Sequence, residues 1–144
     1  MPSPPRVSAV VINWNGGAML AECLDSLFAQ TWTNLEVIVV DNASSDDSIA
    51  VAKQRHGDRF RLLQNTKNEG FARANNQAFA AATGDWIFLL NNDAVAEPSA
   101  IAELMAFVAD KPEVGTLACR IHRFEEPAVF DSTGLLLYPD GVCR

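Results

Sequence analysis

Residues 86–93 read WIFLLNND: five apolar side chains run unbroken into two amides and a carboxylate. A short apolar run bounded by turn residues predicts a strand in the interior rather than a helix. Two earlier runs repeat the pattern. VSAVVIN (7–13) ends in the turn NWNGG, and LEVIVVD (35–41) ends in DNASSDDS, a turn rich in helix-capping residues. A fourth run, RFRLLQN (59–65), alternates polar and apolar residues as a more exposed strand does.

Helical patterns fill the intervals. GAMLAECLDSLFAQ (17–30) places Leu20, Cys23, Leu24, Leu27 and Phe28 on one face. SIAVAKQRHG (48–57) stops at Gly57, and NEGFARANNQAFAAATG (68–84) is Ala-rich after Gly70. EPSAIAELMAFVADKP (97–112) carries Pro98 near its first turn and Ile101, Leu104, Met105 and Val108 at helical spacing. Beyond it, VGTLACRIH (114–122) predicts another strand, and the tail at 128–142 predicts two short strands or a hairpin closed by PDG at 139–141. Strand alternating with helix predicts an α/β fold: a mostly parallel sheet with helices on both faces, in one domain. Pro2, Pro4 and Pro5 predict a stiff, disordered lead-in over residues 1–6, and the missing terminal element suggests an incomplete sheet.

The formal net charge of −7, with eleven scattered Lys and Arg, argues against a nucleic-acid footprint. Cys23, Cys119 and Cys143 form no CxxC or Cys/His cluster, so neither zinc nor a disulfide framework is expected, and Cys23 is predicted as a core residue. MPSPPRVS has no apolar signal-peptide core, and no run approaches the roughly 20 apolar residues of a membrane helix. The expectation is a cytoplasmic protein, with peripheral docking at the inner face of a membrane left open.

Ligands of open α/β sheets bind at the carboxyl ends of the strands. Those ends here are NWNGG, DNASSDDS, NTKNEGFARANN and NNDA, the composition of a site for a polar ligand. Gly16 and Gly17 are adjacent, so the spaced GxGxxG turn is absent, as is a P-loop. Asp93 offers another way to hold phosphate. A carboxylate at a strand end can bind a hard cation that bridges diphosphate oxygens, and Mg²⁺ often takes one or two carboxylates, water and phosphate. The alternative is that Asn91-Asn92-Asp93 merely turns the chain. Trp14 either stacks in a cleft or packs inside. Trp32 and Trp86 are expected to pack, and His56 and His122 to be structural or exposed.

Four segments, in order and spacing, resemble the N-terminal half of family 2 glycosyltransferases of GT-A fold: SAVVINWNG (8–16), VIVVDNASSDDS (37–48), NEGFARANNQA (68–78) and GDWIFLLNNDA (84–94). The LLNND form and the tail DSTGLLLYPDG (131–141) are similar to the rhamnosyltransferase-like sub-group. The resemblance implies that residues 7–144 form the nucleotide-sugar-binding part of such an enzyme. It implies that Val11 and Asn13 line the nucleotide pocket and that Asp41 accepts the N3–H of uracil or thymine, a role open to an ionised carboxylate. Asn68, Gly70, Phe71 and Asn75 match the third motif, with Gly70 allowing close backbone approach. Arg73 either contacts phosphate or is an exposed helical arginine. Asn91-Asn92-Asp93 stands where the family has DXD: Asp93 would meet Mg²⁺ or Mn²⁺, and Asn92 would lie near the donor ribose or sugar. Asn91 replaces the first Asp, so metal affinity without nucleotide is expected to be weak.

The implied activity is inverting transfer of a sugar from a UDP- or dTDP-sugar to a saccharide or lipid-linked acceptor. The family's base cannot be assigned, because Asp131 and Asp140 lie in turn contexts. The other reading is a non-catalytic α/β module of the same fold used for protein contacts. An uncovered sheet would also favour a homo-oligomer.

Overall fold

The computed structural model describes residues 3–132. The chain divides into two compact units, Met1–Met105 and Ala106–Arg144. In the first, β1 (Val7–Asn13), β2 (Leu35–Asp41), β3 (Arg61–Gln64) and β4 (Trp86–Asn91) form one sheet of order β3-β2-β1-β4. Every pairing in it is parallel. The connecting helices are α1 (Gly17–Phe28), α2 (Ser48–His56) and α3 (Phe71–Ala81), and α4 (Ala100–Val108) follows β4.

Alternation along β1 and β2 sorts the core onto two faces. Ala9, Val11, Val37 and Val39 pack with Leu20, Cys23, Leu24 and Leu27 of α1 and Ala52 of α2. Val10, Ile38 and Val40 pack with Ala74 and Ala78 of α3 on the other face. Complete burial of leucines such as Leu20, Leu24 and Leu27 stabilises by about 1.5–3 kcal/mol each. The connections from β1 run to β2 on one side, while β4 lies on its other side. The β1/β4 boundary is therefore the switch point of the sheet, where such folds open a crevice at the strand ends.

β4 departs from the expected strand buried on both sides. Its burial alternates, with Ile87 38% and Leu89 51% exposed. These residues pair with Ser8 and Val10 and so lie on the α3 face. That core cluster contains no β4 residue, because α3 sets its small alanines over β1 and β2. A run of apolar residues cannot distinguish one covered face from two.

The lead-in also differs from the disordered segment expected. The Pro4 and Pro5 carbonyls accept bonds from Asn34 Nδ2 and Trp32 Nε1, and Arg6 N–H donates to Asp85 Oδ2 at 2.8 Å. At the same N-terminal edge of the sheet, Glu36 accepts hydrogen bonds from Ser8 Oγ, Thr83 N and Thr83 Oγ1.

In the second unit the strand expected over 114–122 contracts to β5 (Ile121–His122). It pairs antiparallel with β6 (Phe130–Ser132). Residues 115 and 116 and residues 118–120 are exposed and, like the half-buried Leu117, carry no ladder, which leaves the apolar members of this stretch nothing to pack a strand against. The PDG turn and the rest of the predicted tail lie outside the described residues. No described helix is long and apolar enough to cross a membrane.

Candidate functional site

The four parallel strands end at one edge, which gathers Asn13, Asp41, Gln64 and Asn91. Asn13 is fully buried at the centre of this edge. Its Nδ2 lies 3.0 Å from Asp41 Oδ1, 3.0 Å from Ser44 Oγ and 2.9 Å from Ser48 Oγ. Its Oδ1 accepts from Asn92 Nδ2 at 3.1 Å. One amide thus joins the end of β1 to the β2–α2 loop and to the loop after β4. Gly16 closes over this bridge. A Cβ there would lie 2.6 Å from Asn92 Nδ2 and closer still to Asn13 Oδ1, so only glycine fits.

Asp46 takes the capping role in DNASSDDS. Oδ1 accepts from Ser48 N–H and Ser48 Oγ, and Oδ2 accepts from Gly17 N–H at 2.8 Å. Those bonds, led by the Ser48 hydroxyl, hold the Asp46 carboxyl below the usual carboxylate range. Asp41 is not left free by this. It is 3% exposed, with Oδ1 engaged by Asn13 and Ser44 Oγ and Oδ2 accepting Ser44 N–H at 3.2 Å. The neighbouring loops hold the two non-glycine residues of positive φ among those described, Asn15 at 53° and Ala43 at 61°. Backbone of this kind is concentrated where a loop's shape is constrained by function.

The floor under the third amide–acid loop is α1. Cys23 Sγ contacts the Asn91 carbonyl at 3.3 Å, and burial, followed by the charge of Asp93, pushes its thiol up to about 12. Gln30 donates to Ser26 O and Glu97 O and accepts from Ile101 N–H, which anchors the segment after Asp93. Asp93 itself is exposed. Among the described residues no three His, Cys, Asp or Glu side chains form a metal cage. One open carboxylate fits a cation shared with a diphosphate and does not fit a cation held by protein alone.

The remaining predicted residues divide by exposure. Val11 is a fully buried core residue. Asn75 is 6% exposed and donates to Phe71 O at 2.9 Å, inside its own helix. Asn68 is exposed, with Oδ1 accepting Gly70 N–H. Gly70 has φ +80°, and a Cβ there would meet nothing within 4 Å, so the backbone angle rather than crowding requires glycine. Phe71 is 62% exposed. Arg73, exposed on the first turn of α3, pairs with the half-buried Glu69 of the preceding turn at 3.1 Å. Trp14, 58% exposed, does not pack inside. His56 is buried between α1 and α2, 3.3 Å from Asp25, and His122 is exposed. Sequence reasoning missed Ser44, Ser48 and the amides of Asn42, Asn65 and Gln77. Their only signal was the density of Asn and Ser at the strand ends.

A family model described as glycosyl transferase family 2 matches residues 8–136. Glycosyltransferase GlyG of Streptococcus pneumoniae is 33% identical over 107 residues, 73% of this chain and 36% of that protein. A PGL/p-HBAD biosynthesis glycosyltransferase of Mycobacterium bovis is 29% identical over 148 residues, 97% of this chain and 57% of that protein. The chain therefore spans less than two thirds of these curated relatives. Among solved structures, the mannosyltransferase PcManGT from Pyrobaculum calidifontis, in complex with GDP-Man and Mn²⁺, superposes with a TM-score of 0.72 at 32% identity, covering 85% of this chain and 38% of that one. S. aureus TarS in complex with UDP-GlcNAc shares the fold, with a TM-score of 0.68 at 24% identity over 73% of this chain and 31% of that one.

Proposed function

The chain belongs to glycosyl transferase family 2 and has the GT-A type of fold, and from that membership we propose that it forms the donor-binding part of an inverting transferase. The enzyme moves a sugar from a UDP- or dTDP-sugar to a saccharide or lipid-linked acceptor. The observation that supports this is the placement of Asp41 and Asp93 on one rim, linked through Asn13 and Asn92 across the switch point of the sheet. A pyrimidine at the β2 end and a diphosphate at the β4 end would span that link.

In this reading Asp41 Oδ2, which carries one long bond from Ser44 N–H, accepts the base N3–H. Asp41 is 3% exposed, so the base reaches it only by displacing the Ser44 N–H from Oδ2. Trp14 supplies an exposed aromatic face for stacking. Asn68 and Gly70 approach the nucleotide from the α3 side, and Asn92 sets the sugar end. Asp93 would hold Mg²⁺ or Mn²⁺, which when bound neutralises charge on the departing diphosphate. Asp131 is 59% exposed and lies 3.7 Å from Arg123, so no base role is proposed for it. This stretch by itself binds donor without transferring the sugar. The LLNND form supports a rhamnosyl donor. A guanine donor is the second reading, favoured by the likeness to a mannosyltransferase solved with GDP-Man, since guanine also offers a ring N–H.

Calorimetry with UDP, dTDP and GDP, with and without Mn²⁺, tests the site. Saturable, Mn²⁺-dependent binding of UDP or dTDP that disappears in Asp93→Ala is expected. Preference for GDP selects the second reading, and absence of binding to all three sinks both. The open Ile87/Leu89 face supports self-association of copies. Sedimentation should then show a dimer that Leu89→Glu disperses, and a monomer at high concentration rejects it.

A further inference from the structure

Beside the proposed base pocket, three side-chain amides close on one another. Asn65 and Gln77 exchange two hydrogen bonds: Asn65 Nδ2 donates to Gln77 Oε1 at 2.9 Å, and Gln77 Nε2 donates to Asn65 Oδ1 at 3.0 Å. Asn65 Nδ2 also donates to Asn42 Oδ1 at 2.9 Å. Asn42 is 2% exposed, accepts Glu69 N–H and donates to the Gly70 carbonyl, each at 3.4 Å. The backbone repeats the connection, with Asn65 N–H donating to Asp41 O at 2.9 Å and Asn42 N–H to Asn13 O at 2.8 Å. Both ends of the β3–α3 turn are thus tied to the residue that follows Asp41.

We propose that Asn42, Asn65 and Gln77 are positioning residues whose closed amide cluster sets the turn carrying Asn68 and Gly70 against the nucleotide end of the site. The proposal rests on the donor-site reading above. Its chemistry is specific to amides. Each member both donates and accepts, so the reciprocal Asn65–Gln77 pair fixes the two amides relative to one another, and the bond from Asn65 Nδ2 to Asn42 Oδ1 selects one of the two joint orientations. Turning either one over would set N–H against N–H and oxygen against oxygen. A polar cluster of this kind rigidifies when every member is satisfied and costs stability when one is not. The turn ends on Gly70, which at φ +80° caps the start of α3, so holding the turn also sets where the helix begins. Lys67 and Glu69 of the turn and Arg73 of α3 form ion pairs among themselves and leave the amides to hold the turn to Asn42.

Gln77→Glu tests this with almost no change of shape. At pH 7.5 the introduced carboxylate faces Asn65 Oδ1 with an acceptor where a donor is required. Affinity for UDP with Mn²⁺ should fall about tenfold, the scale of one lost hydrogen bond plus an unsatisfied partner. Amide exchange over residues 66–70 should accelerate. As pH falls through the ordinary carboxyl range, from roughly pH 5 to pH 4, the protonated carboxyl again offers one donor and one acceptor, so the affinity gap to the parent at the same pH should narrow. Gln77→Met, which cannot donate at any pH, should show the same loss without the acid recovery. A merely structural role would lower the melting temperature of both variants and leave affinity well below melting unchanged, which overturns the proposal. Equal acid responses in the two variants overturn it as well. A parent that binds no nucleotide fails the donor reading and takes the proposal with it. Exchange rates over 66–70 then show separately whether the amides clamp the turn.

Discussion

Asn92 Nδ2 donates to Asn13 Oδ1 at 3.1 Å, across the boundary between β1 and β4. The same Asn13 reaches Asp41 at 3.0 Å on the far side. A single buried amide therefore ties the β2 and β4 sides of this one edge together. Asn13→Ala strands polar groups of Asp41, Ser48 and Asn92 in a buried setting. It should cost about 1–3 kcal/mol of stability and weaken both nucleotide and metal-dependent binding. Urea unfolding and calorimetry check this. A fall in nucleotide affinity that leaves the enhancement by Mn²⁺ at its parent size would break the proposed link between the base and metal ends of the edge.

Two glycines at opposite ends of the sheet should separate binding from stability. Gly16→Ala drives a methyl group into the buried Asn13–Asn92 bridge, so it should weaken nucleotide binding and stability together. Gly84→Ala brings Cβ to 2.7 Å from Ser8 N and 2.9 Å from Arg6 O, both backbone atoms that cannot swing aside. Overpacking of this kind destabilises by about 1–3 kcal/mol, while nucleotide affinity of the folded protein stays at the parent level. Paired melting and binding curves decide whether the two effects separate in this way.

Trp14 stands 58% exposed immediately beyond Asn13. Removing a stacked aromatic face costs about 1–3 kcal/mol per base. Trp14→Ala should therefore weaken UDP binding at least several-fold, and Trp14→Phe should keep most of it. Because Trp14 does not pack inside, the melting temperature should barely move. Equal affinities across the three proteins would remove Trp14 from the site.

Acid sensitivity should map to Glu36. Burial opposes its ionisation, but hydrogen bonds from Ser8 and Thr83 and the Arg6 charge outweigh it and hold the carboxyl below the ordinary 4.5. A depressed folded value means that the unfolded chain takes up this proton first. The stabilisation is complete above about pH 4.5 and drains away as pH falls through the lower folded value. Glu36→Gln should be less stable than the parent at pH 7 and show a shallower loss between pH 5 and pH 3, within roughly the usual carboxylate range. Parallel acid-melting curves for the two proteins would contradict this.

Cys23 should behave as a hydrophobe. With its thiol pushed up to about 12 by burial and by Asp93, it carries almost no thiolate at pH 8. An uncharged alkylating reagent should spare it until unfolding while labelling exposed Cys119. Rapid labelling of folded Cys23, read by peptide mass, would show that the floor beneath Asn91 opens.

The order of strands and helices was legible because hydrophobic period is a local property. β1, β2 and α1 carry it plainly in VSAVVIN, LEVIVVD and the Leu20–Leu24–Leu27 stripe. The polar strand ends were legible too, since a parallel α/β sheet sends every such end to one edge. The pattern over 114–122 misleads because β-branched and apolar residues need a partner strand, and none lies beside most of that segment among the described residues.

By itself the sequence determined the alternation of elements and the edge at which chemistry could gather. Only the tertiary structure decided that Asn13 is a buried hub, that Asp41 is already partnered, that Trp14 faces outward, and that β4 leaves one face open. The reason is distance along the chain. Asn13 and Asp41 are 28 residues apart, and Asn13 and Asn92 are 79 apart. No local pattern specifies such partners; strand order and parallel register bring them together, and hydrogen-bond geometry then selects which polar atoms meet.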